Sequence, residues 1–178
     1  VAYRQIAESG ASVYASLDER AAVNQARLDR VLAADLVTLA DTIDAEIGRL
    51  LAAVQTLPAG DELAWHGGIR LAVTPFLGAA VGELLLHGLD LARTAKAPWP
   101  LDRRDGVVAV EFFDAVTPHV VDGARAGSLT ATFEVRYRGY ATTTFSFRDG
   151  ALTVTPGASR RADVRLAVDP VAFLLVGY

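Results

Sequence analysis

Near Leu129 the hydrophobic period of the chain changes from about 3.6 residues to about 2, so helical structure upstream must give way to a sheet downstream. Downstream, Ala131, Phe133, Val135 and Tyr137 alternate with Thr130, Thr132, Glu134, Arg136 and Arg138, the pattern of a strand with one apolar and one polar face. Gly139 and Tyr140 turn it. Ala141, Thr143, Phe145 and Phe147 form a second inner face, and Asp149-Gly150 predicts a hairpin turn because both positions tolerate positive φ. Leu152 and Val154 open the returning strand, a fourth strand spans Ala162 to Val168, and Asp169-Pro170 predicts the N-cap and first residue of a helix through Phe173 to Val176.

Upstream, Ser16 and Glu19 have the spacing of a capping box and open a helix. Its stripe runs through Leu32, Leu36, Leu39, Ile43, Ile47, Leu50 and Val54, until Pro58 and Gly60 end it. A second helix is expected from about Ile69 to Ala95, with Pro75 in its early turns or at a kink, and with Gly78 and Gly82 one turn apart to admit a close neighbour. Pro98 and Pro100 close that segment, and a third helix covers roughly Asp105 to Val120. The expectation is therefore an α+β protein, a helical bundle over 1–102 followed by a small antiparallel-sheet domain over 103–178.

Composition narrows the function classes. With 52% apolar residues the chain is not disordered. Its purely apolar runs are short and no basic-then-apolar leader opens it, so the expected setting is soluble and cytoplasmic, away from membranes. The net charge of -4 disfavours a nucleic-acid surface. Cysteine is absent, which removes disulfides, thiolate metal ligands and a protein-borne thiol nucleophile together. Any sulfur chemistry must come from a ligand. The chain starts at Val1 and stops at Tyr178 inside a helical pattern, so it reads as part of a longer protein.

Between Val81 and Ala95, Glu83, His87, Asp90 and Thr94 fall within an arc of roughly 60° on a helical wheel, surrounded by Leu84, Leu85, Leu86, Leu89 and Leu91. So apolar a helix is expected to be buried, and its polar stripe to be satisfied inside the fold. Three arrangements would do so: an internal Glu83–His87 hydrogen bond, a divalent metal shared by the two side chains, or a metal-free acid/base dyad. A catalytic zinc takes three protein ligands, so a metal needs a third. His66, in the Trp65-His-Gly-Gly68 loop, is the nearest candidate in sequence, although a loop or N-cap histidine fits that position as well. His119, after Pro118, reads as a helix-end residue. Asp90 either holds the His87 ring or pairs with Arg93. Arg136, Arg138, Arg160, Arg161 and Arg165 give the strand region a basic face suited to solvent or to an anionic ligand group.

The segment Gly82-Glu-Leu-Leu-Leu-His-Gly-Leu-Asp-Leu-Ala-Arg93, with Trp65-His-Gly-Gly68 before it and Pro98-Trp-Pro100 after it, resembles the mycothiol-dependent maleylpyruvate isomerase family of the DinB-like metal-binding superfamily. Arg148 to Val154, Ala162 to Val164 and Asp169 to Leu175 are similar to the sterol-carrier-like domain fused to those bundles. The resemblance implies a four-helix bundle holding one divalent metal, usually zinc, through a histidine of an early helix and a later glutamate–histidine pair, here Glu83 and His87. It further implies mycothiol, a low-molecular-weight thiol, as co-reactant toward a small electrophilic substrate, with His66 and Asp90 as candidate catalytic groups. The early helix with its histidine is expected to precede Val1, since His66 is the first histidine present. The alternative is a small-molecule or lipid-binding protein with a structural or degenerate metal site.

Overall fold

The computed structural model describes residues 2–11, 17–31, 35–58 and 60–177. The fold is α+β, with helices α1 (Ala2–Ser9), α2 (Leu17–Val31) and α3 (Leu36–Gln55) followed by a short hairpin, two long helices and a sheet. It forms two compact units, Val1–Val73 and Thr74–Tyr178. The division falls after Val73, the first residue of a long helix, whereas the sequence pattern places the change of domain at 102/103.

In the first unit α1 packs on α3. Arg4 bridges them, its Nε donating to Glu46 at 2.9 Å and a terminal nitrogen to Glu8 at 2.6 Å. The single helix expected after Ser16 is two. Asp35 starts α3 by accepting from the Thr38 amide at 2.9 Å, a local signal that the continuous leucine stripe obscures. Leu50 of that stripe is buried, Leu36 and Ile43 face solvent, and Ser16 and Leu32 lie outside the described residues.

Where the second helix was expected to begin, the chain instead makes an antiparallel hairpin of β1 (Glu62–Ala64) and β2 (Arg70–Ala72). Leu63 faces Leu71 across it, and both are buried with Trp65, Ile69 and Ile6. A 3-10 turn over His66–Gly68 joins the strands, with Gly67 and Gly68 at φ 68° and 79°, values that favour glycine.

The second unit holds α4 (Val73–Ala95), α5 (Arg103–Val120), the single turn α6 (Gly123–Ala126), β3 (Ala131–Tyr137), β4 (Thr142–Arg148), β5 (Ala151–Pro156), β6 (Val164–Val168) and α7 (Pro170–Gly177). Pro75 sits in the first turn of α4, where its missing amide proton is harmless. Gly78 and Gly82 lie against α5, as their spacing predicts: a Cβ on Gly78 would collide with the Val108 carbonyl oxygen, and one on Gly82 would stand 3.7 Å from Ala109 Cβ. Trp99 folds back over Gly88. Asp102 caps α5 through the Arg104 amide at 2.7 Å.

The sheet order is β5-β4-β3-β6. The β3–β4 and β4–β5 pairs are antiparallel, and Asp149 and Gly150 take the positive φ values of the hairpin turn. The fourth strand departs from the expected antiparallel sheet, for β6 runs parallel to β3, pairing Phe133 with Val164 and Tyr137 with Val168. The inner face carries Val135, Tyr137, Phe145 and Leu152 against Leu85, Ala109, Val110 and Leu174 from α4, α5 and α7. Asp169 caps α7, accepting from the Val171 amide at 2.9 Å. Among the described residues α4 has the length and apolar composition to cross a bilayer. Glu83, His87, Asp90 and Arg93 would each be costly in hydrocarbon, and its small residues are already engaged with α5.

Candidate functional site

The buried face of α4 carries Phe76 and Leu85 among small residues, Gly78, Ala79, Gly82 and Ala92. This overturns the expectation that the polar stripe lies inside. Glu83 and His87 stand on the open side of the helix with side chains 42% and 68% exposed, and Leu84 and Leu91 are exposed beside them. The leucines made the helix look interior, but the glycines and alanines decide which side meets a neighbour.

Within the stripe, Glu83 Oε2 and His87 Nε2 approach to 2.9 Å across one helical turn. Two ligands of one tetrahedral zinc, each about 2.0–2.1 Å from it, stand roughly 3.3 Å apart. The side chains as placed thus come within a few tenths of an ångström of that separation, and a carboxylate with an imidazole is a donor set that zinc accepts. The pair fits two positions of such a site. Among the described residues no group of three or more histidine, aspartate or glutamate side chains gathers closely enough to hold an ion by itself.

Asp90 takes the second of the two roles left open for it. Its carboxylate faces Arg93 Nη1 at 3.9 Å on the exposed surface, and its carbonyl accepts from the Thr94 hydroxyl at 2.9 Å.

His66 belongs to the first unit, where it sits in the turn between β1 and β2 and is only 5% exposed. Its ring stacks at 4.0 Å on that of Trp65, which in turn lies 5.3 Å from Tyr3. Burial brings its pKa down to about 4, and the positive charges of Arg20 and Arg27 act in the same direction. It is a neutral imidazole at pH 7.

Two of the strand-region arginines are already paired. Arg136 and Arg165 lie 4.0 and 3.7 Å from the carboxylate of Glu134, which is buried because the loop after β5 crosses it and donates the Ser159 amide at 3.0 Å. His119 is exposed at the C-terminal end of α5.

Two features escaped the sequence. One is a shallow apolar cavity of about 230 Å³, open to solvent, between the inner face of the sheet, α5 and α7 and lined by Phe113, Phe133, Phe145, Phe147 and Phe173. The other is Asp114, half-buried on α5 and bonded to Tyr137 and Thr143. Asp114 follows the buried Val110 by one turn, so its position on the sheet-facing side could have been read from that spacing. The cavity had no comparable signal, because alternation identifies an inner face without saying whether that face is filled. In comparison with known proteins, no family model matches the chain and no curated protein matches it.

Proposed function

We propose that the chain is part of a divalent-metal- and mycothiol-dependent isomerase or thiol S-transferase acting on a small electrophilic substrate, with Glu83 and His87 as two ligands of the metal. The observation that carries this reading is the 2.9 Å approach of carboxylate and imidazole on the open face of α4, in the motif that resembles the isomerase family. In the metal-free form a proton on His87 Nε2 fills the gap as a hydrogen bond to Glu83. When bound, a divalent ion supplies a lowered thiol pKa and a polarised electrophile, chemistry that a chain without cysteine has to borrow. The exposed stripe leaves both side chains accessible to a third protein ligand, which the resemblance places on a histidine of an earlier helix. The proposed setting is cytoplasmic, where a reduced low-molecular-weight thiol is at hand. Elemental analysis of the gently purified protein tests the reading. Zinc near stoichiometric and lost in His87→Ala and Glu83→Gln is expected, whereas less than about a tenth of an equivalent, unchanged by His87→Ala, overturns it.

A second reading, small-molecule binding by the sheet domain, draws support from the phenylalanine-walled cavity. Its open mouth leaves phenylalanine surface against water, which an apolar ligand would cover. Ligand co-purifying with metal-free protein would favour it over the first.

A further inference from the structure

We infer that Arg136 and Arg165 form a binding site for a phosphate group on the outer face of the sheet, the face turned away from α5 and α7, and that its ligand is a small soluble phosphate monoester. The two arginines are neighbours by register. Glu134 of β3 pairs with Arg165 of β6, and Arg136 lies two residues further along β3 on the same face. Between them stands Glu134, only 4% exposed. Its Oε2 accepts the Ser159 amide at 3.0 Å, which fixes the carboxylate in place.

That carboxylate draws in both guanidiniums without occupying their donors. Arg136 Nη2 stands 4.0 Å from Oε1 and Arg165 Nε 3.7 Å from Oε2, close enough for attraction and too far for hydrogen bonds. Arg165 gives one N–H to the Ser159 carbonyl at 3.1 Å, and Arg136 makes no hydrogen bond to any described residue. A guanidinium carries more N–H donors than these contacts use, and both side chains are more than half exposed. Positive charge is also left over, since two cations face one anion. Asp163, the next carboxylate along this edge, is turned to the Thr132 amide at 2.7 Å, while Arg160 and Arg161 stand exposed in the loop that crosses Glu134.

These features select the ligand. One arginine fork matches two oxygens of an oxyanion, so two forks call for a group with a third, which a phosphate monoester has and a carboxylate lacks. The remainder of the face favours a soluble source. Beside the arginine and glutamate, β3 and β4 present Thr132, Thr142, Thr144 and Ser146 there, with no large apolar side chain to enter a membrane.

Inorganic phosphate titrated into the whole chain, with sodium chloride at matched ionic strength as reference, tests this through the arginine Nε–H signals in ¹H–¹⁵N NMR. Phosphate is expected to shift the signals of Arg136 and Arg165 saturably, and chloride is not. Arg136→Lys and Arg165→Lys keep the charge and lose the fork at exposed positions; each is expected to weaken phosphate about tenfold. Equal shifts from chloride, or lysine variants that bind phosphate as well as wild type, would show a solvated pair of charges and overturn the site. Vesicles of phosphatidylcholine with phosphatidic acid separate the two sources of phosphate, and the protein is expected to stay in the supernatant. Sedimentation with those vesicles that Arg165→Lys abolishes would assign the phosphate to a lipid headgroup and overturn the soluble source.

Discussion

The Tyr137 hydroxyl donates to the Asp114 carboxylate at 2.7 Å, tying the end of β3 to the middle of α5 through a core that is otherwise apolar. Thr143 of β4 donates to the other carboxylate oxygen, also at 2.7 Å. Burial raises the pKa of Asp114, and the two hydrogen bonds only partly oppose it. A carboxyl with a raised folded-state pKa binds its proton more readily folded than unfolded. Its contribution to stability is thus complete below the unfolded value near 3.8 and is lost as pH rises through the folded one. Urea unfolding of wild type and Asp114→Asn should show wild type losing ground to the variant across that window. A difference independent of pH would contradict the assignment. Asp114→Ala, which leaves two buried hydroxyls without their acceptor, should cost about 2–4 kcal/mol at low pH, and less as pH rises through the window.

His66 predicts the opposite slope. Its pKa falls from 6.5 to about 4 on folding, so the unfolded chain binds the proton more readily. The neutral ring's contribution is present above pH 6.5 and is lost as pH falls toward 4. Relative to His66→Phe, wild type should lose on the order of 2–3 kcal/mol between pH 7 and pH 4, at 1.36 kcal/mol per pKa unit. Equal acid sensitivity in the two proteins would show that the ring is not titrating in a buried site.

The three glycines on α4 should respond differently to alanine. Gly78→Ala drives a methyl into the Val108 backbone, which cannot yield, and should destabilise by about 2–3 kcal/mol. Gly82→Ala meets Ala109 at ordinary contact distance and should stabilise by up to about 1 kcal/mol through helix propensity. Gly88→Ala displaces only the ring of Trp99, itself partly exposed, so its cost should be largely removed by Trp99→Ala. Thermal unfolding of the single and double variants gives the order directly.

Lys96 ends α4 at φ 53°, in the left-handed region, while the next amide, Ala97, reaches back to the Ala92 carbonyl at 2.9 Å. This is a Schellman-type ending with lysine where glycine is usual. Lys96→Gly should stabilise by about 0.5–1 kcal/mol and Lys96→Val should destabilise, as measured by urea unfolding.

Features written in short local codes were legible in the sequence. Asp149-Gly150 names its own turn, Asp169-Pro170 its own helix start, and Gly78 with Gly82 the side of α4 on which α5 lies. Features fixed by partners were not. Nothing in Val164 to Val168 says that these residues run parallel to β3, because register and direction belong to the pair. The hairpin around His66 escaped because three-residue strands are too short to display a period of two. The Glu83–His87 pairing was legible from four-residue spacing, but its exposure was not, since a wheel orders residues around an axis without saying where the neighbour stands.

The parallel placement of β6 has a kinetic consequence. β3, β4 and β5 meet through tight turns and can assemble as a local meander, whereas β6 must close a span of 31 residues before its first bond to β3 is made. At that junction Asp163 exchanges two bonds with Thr132, its carboxylate accepting the Thr132 amide at 2.7 Å and its own amide donating to the Thr132 carbonyl at 2.8 Å. Until that latch closes, the edge of β3 lies open to any other extended segment, so the slowest pairing in the sheet also sets how long the nascent domain is exposed to strand exchange and aggregation.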